Sequence, residues 1–265
     1  MLTNQFFFKY LQVQICTRTY LHVFTRIYTY LHVFTEMYLL YNNMGKLEII
    51  IGPMYAGKTT RLIEIYKRHK LCDIPIVVIN HSSDKRYGPT DLHNHENVTI
   101  PCIQCSDNLS ELNDTHKEQI EKAKIILVNE AQFFKDLYVW VKTLVEKPTN
   151  SPDVYIFGLD ADSDRNQFGQ VLALIPLCDS VTKLSAICVD CKDGTPGIFS
   201  YRTVAHGSQK LIGGVESYKA LCRKCYNHQS ANEKRVGKPV IENAEKYVGE
   251  LEDVVVFTNN TRINS

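Results

Sequence analysis

The run Gly52-Pro53-Met54-Tyr55-Ala56-Gly57-Lys58-Thr59 fits the spacing G-x-x-x-x-G-K-[ST]. Its glycines would let backbone N–H groups fold around phosphate oxygens, and a following helix N-terminus would add partial positive charge. In this pattern Lys58 reaches the β- and γ-phosphates and the Thr59 hydroxyl faces Mg²⁺. Phosphate-loop enzymes also end a neighbouring strand in a carboxylate. Glu130, within Asn129-Glu130-Ala131-Gln132-Phe133-Phe134, is the only carboxylate at the end of the apolar run 124–128. It could accept a proton from a substrate hydroxyl as a phosphoryl group moves. A second constellation is Cys188-x-x-Cys191 with Cys222-x-x-Cys225. Each knuckle offers two thiolates from one tight turn, which suits tetrahedral Zn²⁺. The stretch 192–221 between them is glycine-rich and longer than a usual zinc-ribbon gap, so a metal would clamp the base of a long loop. Cys102-x-x-Cys105 has no second pair and reads as two ordinary thiols, and the nine histidines lack comparable ligand spacing.

These residues need a frame. Leu47 to Ile51 is an apolar, β-branched run leading into the phosphate loop, and 60–70 places Leu62, Ile65 and Tyr66 on one side of a helix. Further strands are expected at 74–80, 124–128 and 154–159, with helices over 108–123 and 134–146. Residues 82–105 read as a polar loop. Continuous apolar strands separated by helices predict an α/β fold, a parallel sheet covered on both faces. Its ligands would bind at the carboxyl ends of the strands, where Gly52, Ser82, Asn129 and Asp160 fall. Beyond Leu177 the alternation stops.

The predicted organisation is a low-complexity extension over 1–43, disordered or preceding the natural start, and a phosphate-loop domain over 44–185. A zinc-binding domain over 186–228 and a charged tail over 229–265 follow. Within the extension, Tyr20-Leu21-His22-Val23-Phe24-Thr25 returns as Tyr30-Leu31-His32-Val33-Phe34-Thr35, too few copies for a solenoid. No uninterrupted apolar run spans a bilayer, and no small-residue cleavage site follows one. A net charge of +1 over 265 residues argues against a nucleic-acid-coating surface, so neither membrane nor nucleic acid is an expected partner. Nine cysteines without a secretory signal point to a reducing, cytoplasmic setting.

Taken in order, the phosphate loop through Thr60, Asp84-Lys85-Arg86-Tyr87, Glu130-Ala131-Gln132-Phe133-Phe134 and Leu159-Asp160 resemble the type II, cellular-type thymidine kinases. So do the two cysteine pairs and Ile212-Gly213-Gly214-Val215-Glu216-Ser217-Tyr218. The resemblance covers roughly residues 46–226. It implies a RecA-like phosphate-loop domain with a small zinc-bound lasso. It also implies ATP-dependent phosphorylation of the thymidine 5′-hydroxyl, for DNA-precursor salvage. Glu130 becomes the general base, Asp84 and Arg86 flank the phosphates and Mg²⁺, and Asn129 and Gln132 join the cofactor side. Met54, Phe133, Leu159, Ser163 and Phe168 line the nucleoside pocket. The backbone of Gln209, Lys210, Leu211, Ile212 and Gly213 grips the base, and Tyr218 closes over it. Cys188, Cys191, Cys222 and Cys225 become structural zinc ligands, and a homotetramer is implied.

Two positions depart from the family. Asn129 stands where Asp usually precedes the catalytic Glu, and its neutral amide lowers the expected Mg²⁺ affinity. Ser163 replaces an aromatic beside the nucleoside, a loss of about 1 kcal/mol that would loosen base selectivity and leave deoxyuridine a possible second substrate. Two other readings remain open: a phosphate-loop ATPase with a zinc module, and a weak or inactive relative acting as a binding protein.

Overall fold

The computed structural model describes residues 45–84, 91–93, 98–203 and 217–235, together with Arg26, Tyr28–Tyr30 and His32. Those five N-terminal residues are helical, and no helix among the described residues is long and apolar enough to cross a membrane. The rest of the 1–43 extension, Arg86, Gln209 to Gly213 and the tail beyond 235 lie outside the described residues.

The centre is a six-stranded sheet in the order β5-β2-β6-β7-β1-β8, with every neighbouring pair parallel. Its strands are β1 (Leu47–Ile51), β2 (Ile76–His81), β5 (Ile103–Cys105), β6 (Ile125–Val128), β7 (Asp153–Gly158) and β8 (Ser180–Lys183). The four inner strands are those with continuous apolar runs, because a strand covered on both faces has no solvent side on which to alternate. Alternate residues feed two cores. Ile49, Ile51, Ile79, Ile126, Val128 and Ile156 meet Leu137, Trp140, Val141 and Leu144 of the helix Leu137–Val145. Ile50, Val78, Leu127, Tyr155 and Phe157 meet Leu62, Ile63 and Ile65 of α1 (Lys58–Lys70) on the other face. The predicted α/β sheet with helices on both faces is therefore present.

Four expectations need correction. Residues 82–105 are not simply a loop: β3 (Asp91–His93) pairs antiparallel with β4 (Thr99–Pro101), and β5 extends the sheet beyond β2. Leu92 and Ile100 of that hairpin are buried in the core on the α1 side. The helix expected over 108–123 is broken. A 3₁₀ turn over Leu109–Glu111 leads into α2 (Leu112–Thr115), and α3 (Lys117–Lys122) restarts after His116, whose φ of −132° leaves the helical region. The Asp136 carboxylate accepts the Leu109 and Ser110 N–H groups at 2.8 and 2.9 Å, serving amides that have no intrahelical partner at this start. The sheet also continues past Leu177, because β8 pairs with β1. All four of its residues are solvent-exposed, so it shows none of the apolar signature of its neighbours.

Helix α4 (Leu137–Val145) starts later than expected, because Ala131–Phe133 forms a separate 3₁₀ turn and Phe134 is extended. After β8 come two short antiparallel pairs. β9 (Ala186–Ile187) pairs with β10 (Pro196–Gly197), and β11 (Phe199–Arg202) pairs with β12 (Tyr218–Leu221). α5 (Arg223–Arg235) follows directly.

Candidate active site

Phosphate-loop geometry begins where β1 ends. Gly57 adopts φ +79°, a left-handed turn that costs a glycine least, and α1 starts at the next residue, Lys58. Gly52 is closely packed: a Cβ there would meet the Leu184 carbonyl oxygen at 2.6 Å. Lys58 Nζ donates to the Gly52 and Pro53 carbonyl oxygens at 3.0 and 2.7 Å, so its ammonium lies on the loop's inner carbonyls. The Met54 N–H donates to Ser200 Oγ at 2.9 Å, tying the loop to β11. Ile51 is flanked by Gly158 on one side and Lys183 on the other. Lys183 Nζ reaches Asp160 Oδ2 at 2.6 Å, so an ion pair joins the two strand ends on either side of β1.

Glu130 follows β6 at the same carboxyl edge. The expectation that its strand borders the phosphate-loop strand is corrected, since β7 lies between β6 and β1. Glu130 has φ +52° and ψ +40°, a left-handed backbone that disfavours a side chain by about 1–2 kcal/mol. Such strain persists only where surrounding contacts hold it. Gln132 is 3% exposed and provides them. Its Nε2 donates to Glu130 Oε2 at 2.7 Å, and its Oε1 accepts the Leu159 N–H at 3.0 Å. Gln132, expected on the cofactor side, thus clasps the carboxylate to the end of β7. Gly169 (φ +63°) completes the packing, because a Cβ there would meet the Gln132 carbonyl oxygen at 2.2 Å.

Asn129 is 2% exposed, and its Nδ2 donates to Asn80 Oδ1 at 2.9 Å. The amide is engaged with its strand neighbour, a partner not foreseen from sequence. Asp84 is also buried, its N–H bonded to the His81 carbonyl oxygen at 2.9 Å in the turn after β2. Phe133 and Phe168 meet edge to face with centroids 5.4 Å apart, which brings together two of the expected pocket walls. Leu159, Ser163 and Met54 are partly exposed near strand ends or loops. Tyr218 opens β12, half-buried, and burial pushes its hydroxyl up from the ordinary value while Arg202 partly opposes this.

The second constellation also assembles. The sulfurs of Cys188, Cys191, Cys222 and Cys225 all lie within 4.8 Å of one another. Cys191 Sγ and Cys222 Sγ are 3.7 Å apart, matching the edge of about 3.8 Å of a tetrahedron with metal–sulfur bonds near 2.3 Å. Burial would raise the Cys188 thiol, but backbone N–H groups of Cys222, Cys191 and Asp190 outweigh it and bring it down to about 6. A thiolate is the ligand form. By contrast, burial pushes Cys102 and Cys105 up to about 12, so they remain thiols, in keeping with their reading as an ordinary pair.

Sequence reasoning missed Ser200, Gly169 and His81. Each acts through a contact with a residue distant in the chain, and none belongs to a local pattern. The Phe168-Gly169 pair offered the nearest hint, a glycine directly after an expected pocket wall.

Comparison with known proteins agrees with this geometry. A family model described as thymidine kinase matches residues 45–226. The chain is 37% identical over 183 residues to a thymidine kinase of Sheeppox virus (strain KS-1), covering 69% of this chain and 97% of the viral one. It is 35% identical over 183 residues to a thymidine kinase of Oryza sativa subsp. japonica, covering 69% and 66% of the two chains. To thymidine kinase a of Arabidopsis thaliana it is 33% identical over 204 residues, covering 76% and 83%. With a family match across most of its length and relatives at this identity, the chain belongs to the thymidine kinase family.

Proposed function

We propose that this chain is an ATP-dependent thymidine kinase, transferring the γ-phosphoryl group to the thymidine 5′-hydroxyl to give thymidine monophosphate. The observation that carries the reading is the Glu130–Gln132–Leu159 clasp. A strained carboxylate is fixed at the sheet edge where the phosphate loop also opens. Glu130 accepts the 5′-hydroxyl proton as the phosphoryl group leaves ATP. Lys58 and the loop N–H groups cradle the phosphates. Bound Mg²⁺ would neutralise charge on the phosphate oxygens, with Thr59, Asp84, Arg86 and Asn129 the residues assigned to its surroundings. Met54, Phe133, Leu159, Ser163 and Phe168 line the nucleoside side, with Tyr218 and the Gln209–Gly213 backbone closing over the base. The remaining parts of the reading are a homotetramer acting in the cytoplasm without membrane or nucleic-acid partners.

A coupled assay of purified protein with ATP, Mg²⁺ and either thymidine or deoxyuridine tests this. Nucleoside-dependent ADP release is expected. ADP release without nucleoside would support a motor-type ATPase instead, and no release would support an inactive binding relative.

Structural Zn²⁺ at the four cysteines is part of the proposal, supported by the convergence of their four sulfurs within 4.8 Å. One zinc per chain is expected by elemental analysis. Cys222→Ser should release it and raise the thymidine KM before the ATP KM, since the two cysteine pairs flank the end of the β11–β12 hairpin from which both strands depart. Zinc-free, fully reduced and active enzyme would end that assignment.

Asn129→Asp introduces the charge usual in the family. Asn80 must then turn its amide so that Nδ2 faces the new carboxylate in place of Oδ1. The Mg²⁺ concentration for half-maximal rate should fall, and a titration with the purified variant checks this. An unchanged or higher requirement would mean that Asn129 is no handicap here.

A further inference from the structure

His81, the last residue of β2, links two parts of the site that no expectation connected. It is 1% exposed. Its Nδ1 accepts the Ser83 N–H at 3.1 Å, so the neutral ring carries its proton on Nε2. Nε2 lies 3.3 Å from Asp107 Oδ1, and Asp107 Oδ2 lies 2.7 Å from Lys135 Nζ. The Lys135 N–H also donates to the Asp107 carbonyl oxygen at 2.8 Å. Asp107 therefore ties the segment after β5 to the residues that follow Phe134. The imidazole packs against Phe133 and Phe134, with centroids 5.2 and 4.9 Å away. Its own carbonyl oxygen accepts the Asp84 N–H.

One buried ring thus does two separable things. Through Nδ1 and its carbonyl it shapes the turn Ser82-Ser83-Asp84. Through its face it backs Phe133, which in turn meets Phe168. An apolar core residue at this position would supply the packing but not the acceptor. A small polar residue would supply the acceptor but not the packing. The Ser83 N–H, donating to Nδ1, selects the tautomer in which Nδ1 accepts, while Asp107, held by Lys135, lies beside Nε2.

We propose that His81 is a positioning residue for both sides of the reaction, its Nδ1 presenting Asp84 toward the Mg²⁺-bound phosphates and its ring setting Phe133 against the nucleoside. This rests on the assignments of Asp84 and Phe133 made under the proposed function.

Two substitutions separate the roles. His81→Asn keeps an acceptor close to the Nδ1 position but removes the ring. His81→Phe keeps the ring but removes the acceptor. Calorimetry should find thymidine binding weakened about three- to tenfold in His81→Asn, with the Mg²⁺ dependence of ATP affinity unchanged. In His81→Phe the Ser83 N–H loses its partner, and the Mg²⁺ concentration needed for half-maximal ATP affinity should rise about tenfold. Thymidine affinity should then stay within about twofold of the parent. If His81→Phe does not fold, His81→Gln takes its place for the Mg²⁺ measurement alone, since its amide reaches toward Asp107 but leaves the Ser83 N–H unpaired; lacking the ring, it is compared with His81→Asn in Mg²⁺ dependence only and left out of the two-constant comparison. Both constants shifting together in each variant would reduce His81 to a packing residue and overturn the proposal. Asp84→Asn and Phe133→Leu are measured in parallel. If Asp84→Asn leaves the Mg²⁺ dependence unmoved, or Phe133→Leu leaves thymidine affinity unmoved, the site assignment fails and the proposal falls with it. If both references shift as assigned and the His81 variants do not, only the role of His81 is overturned.

Discussion

Glu130→Gln should lower kcat by about 10²–10⁴-fold while leaving ATP affinity and thermal stability close to those of the parent. The size of the loss follows from what the substitution removes. A glutamine has the shape of glutamate but cannot take the proton of a 5′-hydroxyl at neutral pH. The split between kcat and stability follows from what it keeps. Gln132 Nε2 donates to Glu130 Oε2 at 2.7 Å, and the side-chain carbonyl of a glutamine at 130 can accept the same bond. The left-handed backbone at φ +52° is unchanged, so no strain is added or released. Rapid-quench measurement of the phosphoryl-transfer step, with a melting curve of the same preparation, checks both halves. A near-normal kcat would remove Glu130 from the role of base.

Gly169→Ala is expected to cost about 2–5 kcal/mol of stability, from a left-handed side chain and a forced displacement of packed backbone. At φ +63° an alanine is disfavoured before any contact is counted. Its Cβ would then lie 2.2 Å from the Gln132 carbonyl oxygen and 3.0 Å from the Gln132 Cα. Backbone cannot yield as a side-chain tip does, so the 3₁₀ turn Ala131–Phe133 must shift. That turn carries the clasp on Glu130, so kcat should fall along with the melting temperature. Denaturant unfolding and steady-state kinetics on one sample test the coupling. An alanine variant with parental stability would contradict the close approach of these two segments.

The parts of this molecule legible in the sequence are those in which chemistry or burial is repeated locally. β1, β2, β6 and β7 declared themselves because strands buried on both faces carry continuous apolar runs. The phosphate loop was visible because its glycines, lysine and threonine must be consecutive to serve one anion. The cysteine pairs were visible because a tight turn places two thiolates on one metal. β8 was invisible, since an exposed edge strand carries no such run. β5 was hidden by its length of three residues. Within the site, the carboxylate could be picked out by its place at a strand end, but not the means of holding it. The clasp from Gln132 to Leu159 and the wedge of Gly169 join segments 27 or more residues apart. Asn129 illustrates the same limit. Its neutral side chain is legible in the sequence, but its pairing with Asn80 across the sheet is not.

The bond from the Met54 N–H to Ser200 Oγ has a consequence for how this enzyme can be recombined. Residues 186–228 look like a cassette, starting after β8 and ending within α5, and a natural choice for exchange among relatives. Yet the cassette supplies an acceptor for the backbone of the phosphate loop, and Ser200 is buried at that junction. A transplanted module lacking a hydroxyl at this position would leave a loop N–H unpaired in the parent scaffold. The border of inheritance in this chain therefore runs through a hydrogen bond and not through a linker. Chimaeras that respect it must carry residue 200 together with the loop it completes.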